Sequence, residues 1–160
     1  VKHSSFLLLV VFLVAGLSNA PAQTVPSICP IQGKNASDVS GDFGPRMHPV
    51  LNIVKQHDGV DIEVPVGTPV LATARGKVTL AGPKEGYGLE IELSHGGGFR
   101  TLYAHLSRVS VAPGTIVKKG DVIGYSGRSG LASTAHLHYE VVKNGKRVDP
   151  KPYFGPSLQE

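Results

Sequence analysis

Two histidines flank one leucine in His136-Leu137-His138, within the run TAHLHYEV, in a chain with seven histidines in all. On a strand, residues two apart point to the same face. Two imidazoles side by side on an apolar segment make a poor core and a reasonable metal site. A second cluster lies in QHDGVDIEV, where His57 and Asp61 are four apart. On an extended segment they also share a face, and Asp58-Gly59 offers a turn that would adjust the geometry. Two imidazoles and a carboxylate make a three-ligand zinc set with a fourth position left for water, the form of a catalytic site. A structural site would close with a fourth protein ligand, and Cys29 is the only cysteine. Spacing alone leaves open which of His136 and His138 binds.

Hydrolysis at such a site needs a group that takes a proton from the attacking water and passes it to the leaving amine. The helical H-E-x-x-H arrangement is absent. An imidazole can do this work, since its ordinary pKa of about 6.5 lies close to working pH. His105, in TLYAHLS, and the non-ligand member of the His136/His138 pair are the candidates. Glu140 shares the parity of His136 and His138 and could steady an imidazole, with a solvated strand glutamate as the alternative. Arg46 and His48, in PRMHPV, could line a substrate groove or sit on a surface loop. His95 reads as a strand end before a glycine turn, and Tyr103 and Tyr139 as packing residues. The glycine-rich loops 96–98 and 127–130 are expected to wall the groove.

These residues need a scaffold, and the sequence predicts an all-β one. Glycine (20) and proline (12) are plentiful and tryptophan is absent, which suits short strands joined by tight turns. Alternation predicts strands at Val60–Val64, Lys77–Leu80, Leu89–Leu93, Thr101–Ala104, Asp121–Tyr125 and His136–Val142. Turn signals separate them at Asp58-Gly59, Ala81-Gly82-Pro83, Gly96-Gly97-Gly98, Pro113-Gly114 and Asn144-Gly145. VPVGTPV at Val64–Val70 is matched by VAPGTIV at Val111–Val117. A duplicated hairpin unit of this kind predicts two packed antiparallel sheets, sandwich- or barrel-like.

The first 22 residues read as an export signal. Lys2 and His3 precede the apolar run FLLLVVFLVAGL, and small residues follow. Twelve apolar residues suit a signal peptide and fall short of the ~20 that span a bilayer. Residues 23–41 are polar and rich in Gly, Pro and Ser, and read as a linker or irregular lead-in. One domain is expected over 42–154, with 155–160 as a tail. Cys29 reads as an incidental thiol, and a lone cysteine excludes an internal disulfide. The net charge of +4 falls by one when Lys2 leaves with the leader. Such a charge suits an anionic surface such as a cell wall and is too small and scattered for nucleic acid.

Taken together, the motifs resemble the lysostaphin-type, or LytM-type, zinc metallopeptidases that cut peptide bonds in peptidoglycan. The resemblance runs from about Asp42 to Phe154. It is carried by FGPRMHPV, by HDGVDIEVPVGTPVLATARGKV with its H-x-x-x-D motif, by GYGLEIELSHGGGFRTLYAHLS, by GDVIGYSGRSGLASTAHLHYEV with its H-x-H motif, and by GKRVDPKPY. Each block is weak alone; all five in one order are specific. The resemblance implies a fold related to the biotinyl/lipoyl-type hybrid motif. It implies His57, Asp61 and His138 as zinc ligands, and His105 and His136 as the catalytic histidines. A departure lies in SGLASTAHLH, where Leu131 and Ala132 stand in place of small polar residues.

The function expected is a zinc-dependent endopeptidase acting on cross-links or stem peptides of peptidoglycan. The mature protein is expected to be an exported monomer, periplasmic or secreted and cell-wall associated, with no nucleic-acid partner and no membrane span. Two rivals belong to other classes. A metal-binding but non-hydrolytic regulator of wall hydrolases would not need every ligand and histidine intact. A lipoyl- or biotinyl-carrier-like module would explain VAPGTIVKKGDVIG, but would need a modifiable lysine at an exposed tight turn and leaves the histidines unexplained.

Overall fold

The computed structural model describes residues 24–47 and 52–155. The expected export signal, His48 and residues 156–160 of the tail lie outside the described residues. Among those described, no helix is long and apolar enough to cross a membrane.

Among the described residues twelve strands follow one another: β1 (Gly44–Met47), β2 (Val54–His57), β3 (Val60–Glu63), β4 (Pro69–Leu71), β5 (Gly76–Lys84), β6 (Gly88–Ser94), β7 (Phe99–Leu106), β8 (Arg108–Val109), β9 (Ile116–Val117), β10 (Val122–Tyr125), β11 (His136–Lys143) and β12 (Lys146–Val148). The only helices among the described residues are two 3-10 turns, Ala36–Asp38 and Lys151–Tyr153. The strands form three antiparallel sheets. The largest runs β12-β11-β7-β6-β5-β9, with β3 also on β11. The second is β4-β10-β8, and the third is the ribbon β1-β2. Among the described residues no sheet closes into a barrel.

Alternation along β11 shows how the core and the site divide one strand between them. Leu137, Tyr139 and Val141 are fully buried in the main apolar cluster with Ile62, Ile91, Leu93, Leu106 and Ile123. His136, His138 and Glu140 take the opposite parity. One edge of β11 is shared, with β3 along 136–139 and β12 along 141–143, while β7 fills the other edge. The core residues therefore fix the register that carries the histidines.

The internal repeat is visible in the backbone. Thr68 N–H bonds Pro65 C=O at 3.3 Å, and Thr115 N–H bonds Ala112 C=O at 3.1 Å. In each turn a glycine sits at positive φ, Gly67 at 89° and Gly114 at 92°. The first copy leads through β4 to β5, and the second through β9 to β10. They then exchange partners, since β4 pairs with β10 and β9 with β5.

Two sequence expectations need correction. Ala81-Gly82-Pro83 is strand rather than turn, pairing with Ile91, Glu90 and Leu89. β9 covers the far edge of β5 only at Gly76 and Lys77, so Pro83 withholds no bond from a neighbour there. The reversal comes at Glu85–Tyr87. The strands after the two Gly-Thr turns are β4 and β9; β1, β2, β8 and β12 were not predicted, since GPRM and VKQH lack apolar alternation and β8 and β12 are too brief to show a period. The lead-in packs onto the domain: Ile28, Cys29 and Ile31 are buried, and Leu71 N–H bonds Pro30 C=O at 2.8 Å.

Candidate metal centre

His57 ends β2, and Asp61 lies in β3, so the pair belongs to two sheets rather than one extended segment. The turn between them is Asp58-Gly59. A Cβ on Gly59 would run into the carbonyl of Tyr139, so glycine lets the chain turn while β3 stays paired with β11. In that pairing Asp61 is the direct cross-strand partner of His138. Gly41 bridges to Asp61 from the other side, with Asp61 N–H on Gly41 C=O at 2.9 Å.

Three donor atoms converge. His57 Nε2 lies 3.1 Å from His138 Nδ1, His138 Nδ1 lies 2.9 Å from Asp61 Oδ1, and His57 Nε2 lies 3.2 Å from the same oxygen. Ligands about 2.0–2.1 Å from a tetrahedral zinc stand roughly 3.3 Å apart. The triangle is nearly that size already. Among the described residues these three form the one group of histidine, cysteine and carboxylate side chains able to share an ion.

The outer nitrogen of each ring sets which atom faces the triangle. His57 Nδ1 lies 2.8 Å from Asp42 C=O, which can only accept, so Nδ1 donates and Nε2 keeps its lone pair inward. His138 Nε2 donates to Glu140 Oε1 at 3.1 Å, leaving Nδ1 to face Asp61. Glu140 is fully buried and held on three sides. Tyr87 donates its hydroxyl to Oε1 at 2.9 Å, and Arg147 Nε donates to Oε2 at 2.8 Å. Such outer partners fix the tautomer and orientation of a ligand histidine.

The charges follow this geometry. Burial alone would raise the Asp61 carboxyl, but the hydrogen bond from His138 and the nearness of His57 outweigh it and hold it well below the carboxylate range. Burial alone would lower His138, and its bonds to Asp61 and Glu140 push it up to about 9. The metal-free site therefore keeps one proton on His138 Nδ1, between the carboxylate and the His57 lone pair. Burial would raise Glu140 too, yet His138 and Arg147 keep it low. Burial and the adjacent Glu140 charge push Tyr87 up to about 12, so it stays a donor.

His105 and His136 stand beside the triangle with their rings 4.9 Å apart. His105, on β7, has φ at 60°. Its Nδ1 donates to Ser129 C=O at 2.8 Å, and its ring lies 5.9 Å from that of His138. His136 Nδ1 donates to Thr134 C=O at 2.9 Å, and Nε2 lies 3.6 Å from Asp61 Oδ1. Each neutral ring thus retains a lone pair on Nε2. Burial lowers the His105 pKa below the ordinary histidine value. Together the five residues can hold an ion, leave one side of it open, and put two proton acceptors next to that opening.

They line an open cleft of about 910 Å³, together with Arg46, Lys55, Tyr87 and Leu131. The glycine loops do not wall it. Gly96–Gly98 pack near Thr24 and Asn144, and Ser129 instead supplies the carbonyl behind His105. His95 is buried, its Nδ1 donating to Arg75 C=O at 2.7 Å and its Nε2 lying 2.8 Å from Thr101 Oγ1. Tyr103 and Tyr139 are buried and share Thr73 Oγ1 at 3.0 and 2.8 Å. Burial pushes the Cys29 thiol up to about 11, which leaves it unreactive. Tyr87, Arg147 and the Asp42 carbonyl were missed from the sequence. The parity of Glu140 was legible; nothing local marks Arg147 as its partner.

Comparison with known proteins bears on the same residues. Residues 55–150 match the model described as Peptidase family M23. The chain is 47% identical over 112 residues to the DD-carboxypeptidase/endopeptidase Mpg of Neisseria meningitidis serogroup B, covering 70% of this chain and 26% of that protein. It is 38% identical over 112 residues to the peptidoglycan DD-endopeptidase ShyA of Vibrio cholerae, covering 69% and 26%. The crystal structure of a zinc-containing peptidase from Vibrio cholerae superposes with a TM-score of 0.75 at 30% identity, covering 84% of this chain and 41% of that one. The chain thus spans about a quarter of the length of these curated relatives.

Proposed function

This chain belongs to peptidase family M23, and from that premise we propose that it is a zinc-dependent endopeptidase cutting the peptides of bacterial peptidoglycan. One observation carries the reading. His57 Nε2, Asp61 Oδ1 and His138 Nδ1 form a near-tetrahedral face, and the hydrogen bonds behind both rings turn the His57 Nε2 lone pair and His138 Nδ1 into it. That donor set fits zinc with one position left for solvent. The names of the two relatives and the superposed structure support the same chemistry.

A zinc ion bound there supplies Lewis acidity and lowers the pKa of a coordinated water towards about 7. The chain's own groups do the rest. An extended wall peptide lies in the cleft with its scissile carbonyl over the open side. His105 Nε2 takes the proton of the attacking water, and the imidazolium returns it to the departing amine. His136 Nε2, beside Asp61, donates to the carbonyl oxygen on which charge builds once that nitrogen carries a proton. Ser129 and Thr134 hold the two rings so that neither acceptor turns away. To meet this substrate the protein works outside the cytoplasm as a monomer, with residues 1–22 as its leader.

The test is digestion of purified sacculi by the mature protein, with fragments identified by mass. Zinc-loaded protein should release peptides cut at amide bonds, a chelator should stop release, and added zinc should restore it. Zinc-loaded protein that binds the ion but releases nothing would reject the reading in favour of a non-hydrolytic regulator.

A further inference from the structure

The ribbon β1-β2 carries two cations that the proposed mechanism leaves unused. Its register sets Gly44 opposite His57 and Arg46 opposite Lys55. Positions two apart on a strand share a face. Arg46 and Lys55 therefore stand on the face that carries His57, one step of about 7 Å from it. Both line the cleft. Two like charges directly opposite each other are unfavourable unless an anion joins them.

Arg46 also reaches the ligand set. Its Nη1 lies 3.4 Å from Asp61 Oδ2, the oxygen that the donor triangle does not use. The guanidinium carries five donors, and among the described residues this long contact engages a single one of them. Its side chain is 52% exposed, so an anion in the cleft can approach it.

Peptide geometry says what anion would fit. With a scissile carbonyl at the ion, the next main-chain carbonyl carbon, past the leaving nitrogen and its Cα, lies about 3.5 Å further on. In most peptides that carbon is another amide. It is a free α-carboxylate where the leaving residue ends the chain, or where the acylated nitrogen belongs to a branch. We propose, on top of the endopeptidase reading, that Arg46 and Lys55 form a carboxylate clamp selecting amide bonds whose leaving residue keeps a free α-carboxylate. Arginine suits this task because its fork matches a carboxylate, and the lysine adds a second charge. Bridges of neutral residues such as glycine offer the clamp nothing.

The experiment compares two probes, acyl-D-alanyl-D-alanine with a free terminal carboxylate and the same peptide amidated there. Their affinities for the zinc-loaded full chain are measured by calorimetry. The free acid should bind roughly 10- to 100-fold more tightly, as expected for charge-assisted hydrogen bonds. That ratio should shrink in Arg46→Gln and in Lys55→Gln, and approach one in the double variant. Zinc content and thermal melts report whether each variant is folded, and Lys55→Gln alone reads the clamp should Arg46→Gln lose its metal. Equal affinity for the two probes, or a preference that survives the double substitution, overturns the clamp. Sacculus digestion is read separately. Failure there sinks the peptidase reading, while the affinity ratio still judges the clamp.

Discussion

His138 and Glu140 meet at 3.1 Å, Nε2 to Oε1, on the side of the imidazole away from Asp61. They are two apart on β11, and the same alternation that buries Tyr139 puts them on one face. Glutamine at 140 keeps the shape and loses the charge that fixes the ring. Glu140→Gln should weaken zinc affinity by about 10- to 100-fold, the usual cost of removing such a partner. Competition against a chromophoric chelator measures it, and an unchanged affinity would contradict the role given to Glu140.

Proton release follows from the same contact. The Asp61 and Glu140 hydrogen bonds hold the metal-free His138 at about 9, so below that pH the ion has to expel a proton. Zinc affinity should rise by about tenfold per pH unit for each proton expelled and level off above pH 9. Calorimetry at pH 7 in buffers of different ionisation heat should show roughly one proton leaving per zinc from this group. Binding with no proton release would contradict it.

Much of this was legible in the sequence, and the reasons are local. His136 and His138 share a face because a strand has period two, and that held. The pairing of His57 with Asp61 held for a different reason, since they sit on separate strands turned by Asp58-Gly59. The β1-β2 ribbon was invisible because GPRM and VKQH have no apolar alternation; Met47 and Val54 are both exposed. Arg147 was invisible because it meets Glu140 only through the β11-β12 hairpin. Three-dimensional register, rather than any motif, brings it there.

In the proposed mechanism His105 moves a proton without holding the metal. Its Nδ1 is committed to Ser129, and its ring does not belong to the donor triangle. His105→Ala should keep one zinc per chain and lower kcat by about 10²- to 10⁴-fold, the range for general acid–base catalysis. Metal analysis with steady-state kinetics on a soluble wall peptide checks both parts. Loss of zinc from this variant would mean that His105 helps to hold the ion.

A buried carboxyl outside the donor triangle gives a stability prediction. Glu90, on β6 opposite Gly82, is 2% exposed, and its Oε2 has no hydrogen-bond partner among the described residues. Burial pushes its pKa up to about 7, from the 4.5 of an ordinary glutamate. Below pH 4.5 both folded and unfolded chains hold the proton, and nothing is lost. Between 4.5 and 7 the unfolded chain gives it up first, so stability falls as pH rises, and the loss is complete above 7. Glu90→Gln should therefore stabilise the fold by about 1–3 kcal/mol at pH 8 and hardly at all at pH 4. Denaturant melts at the two pH values measure the difference, and an equal effect at both would remove ionisation as its cause.

The most direct test is anomalous diffraction at the zinc edge from crystals grown with one equivalent of the metal. The account predicts one ion bonded by His57 Nε2, Asp61 Oδ1 and His138 Nδ1 at about 2.0–2.2 Å, with solvent in the remaining position. An ion bound elsewhere, or one closed off by a fourth protein side chain, would contradict it.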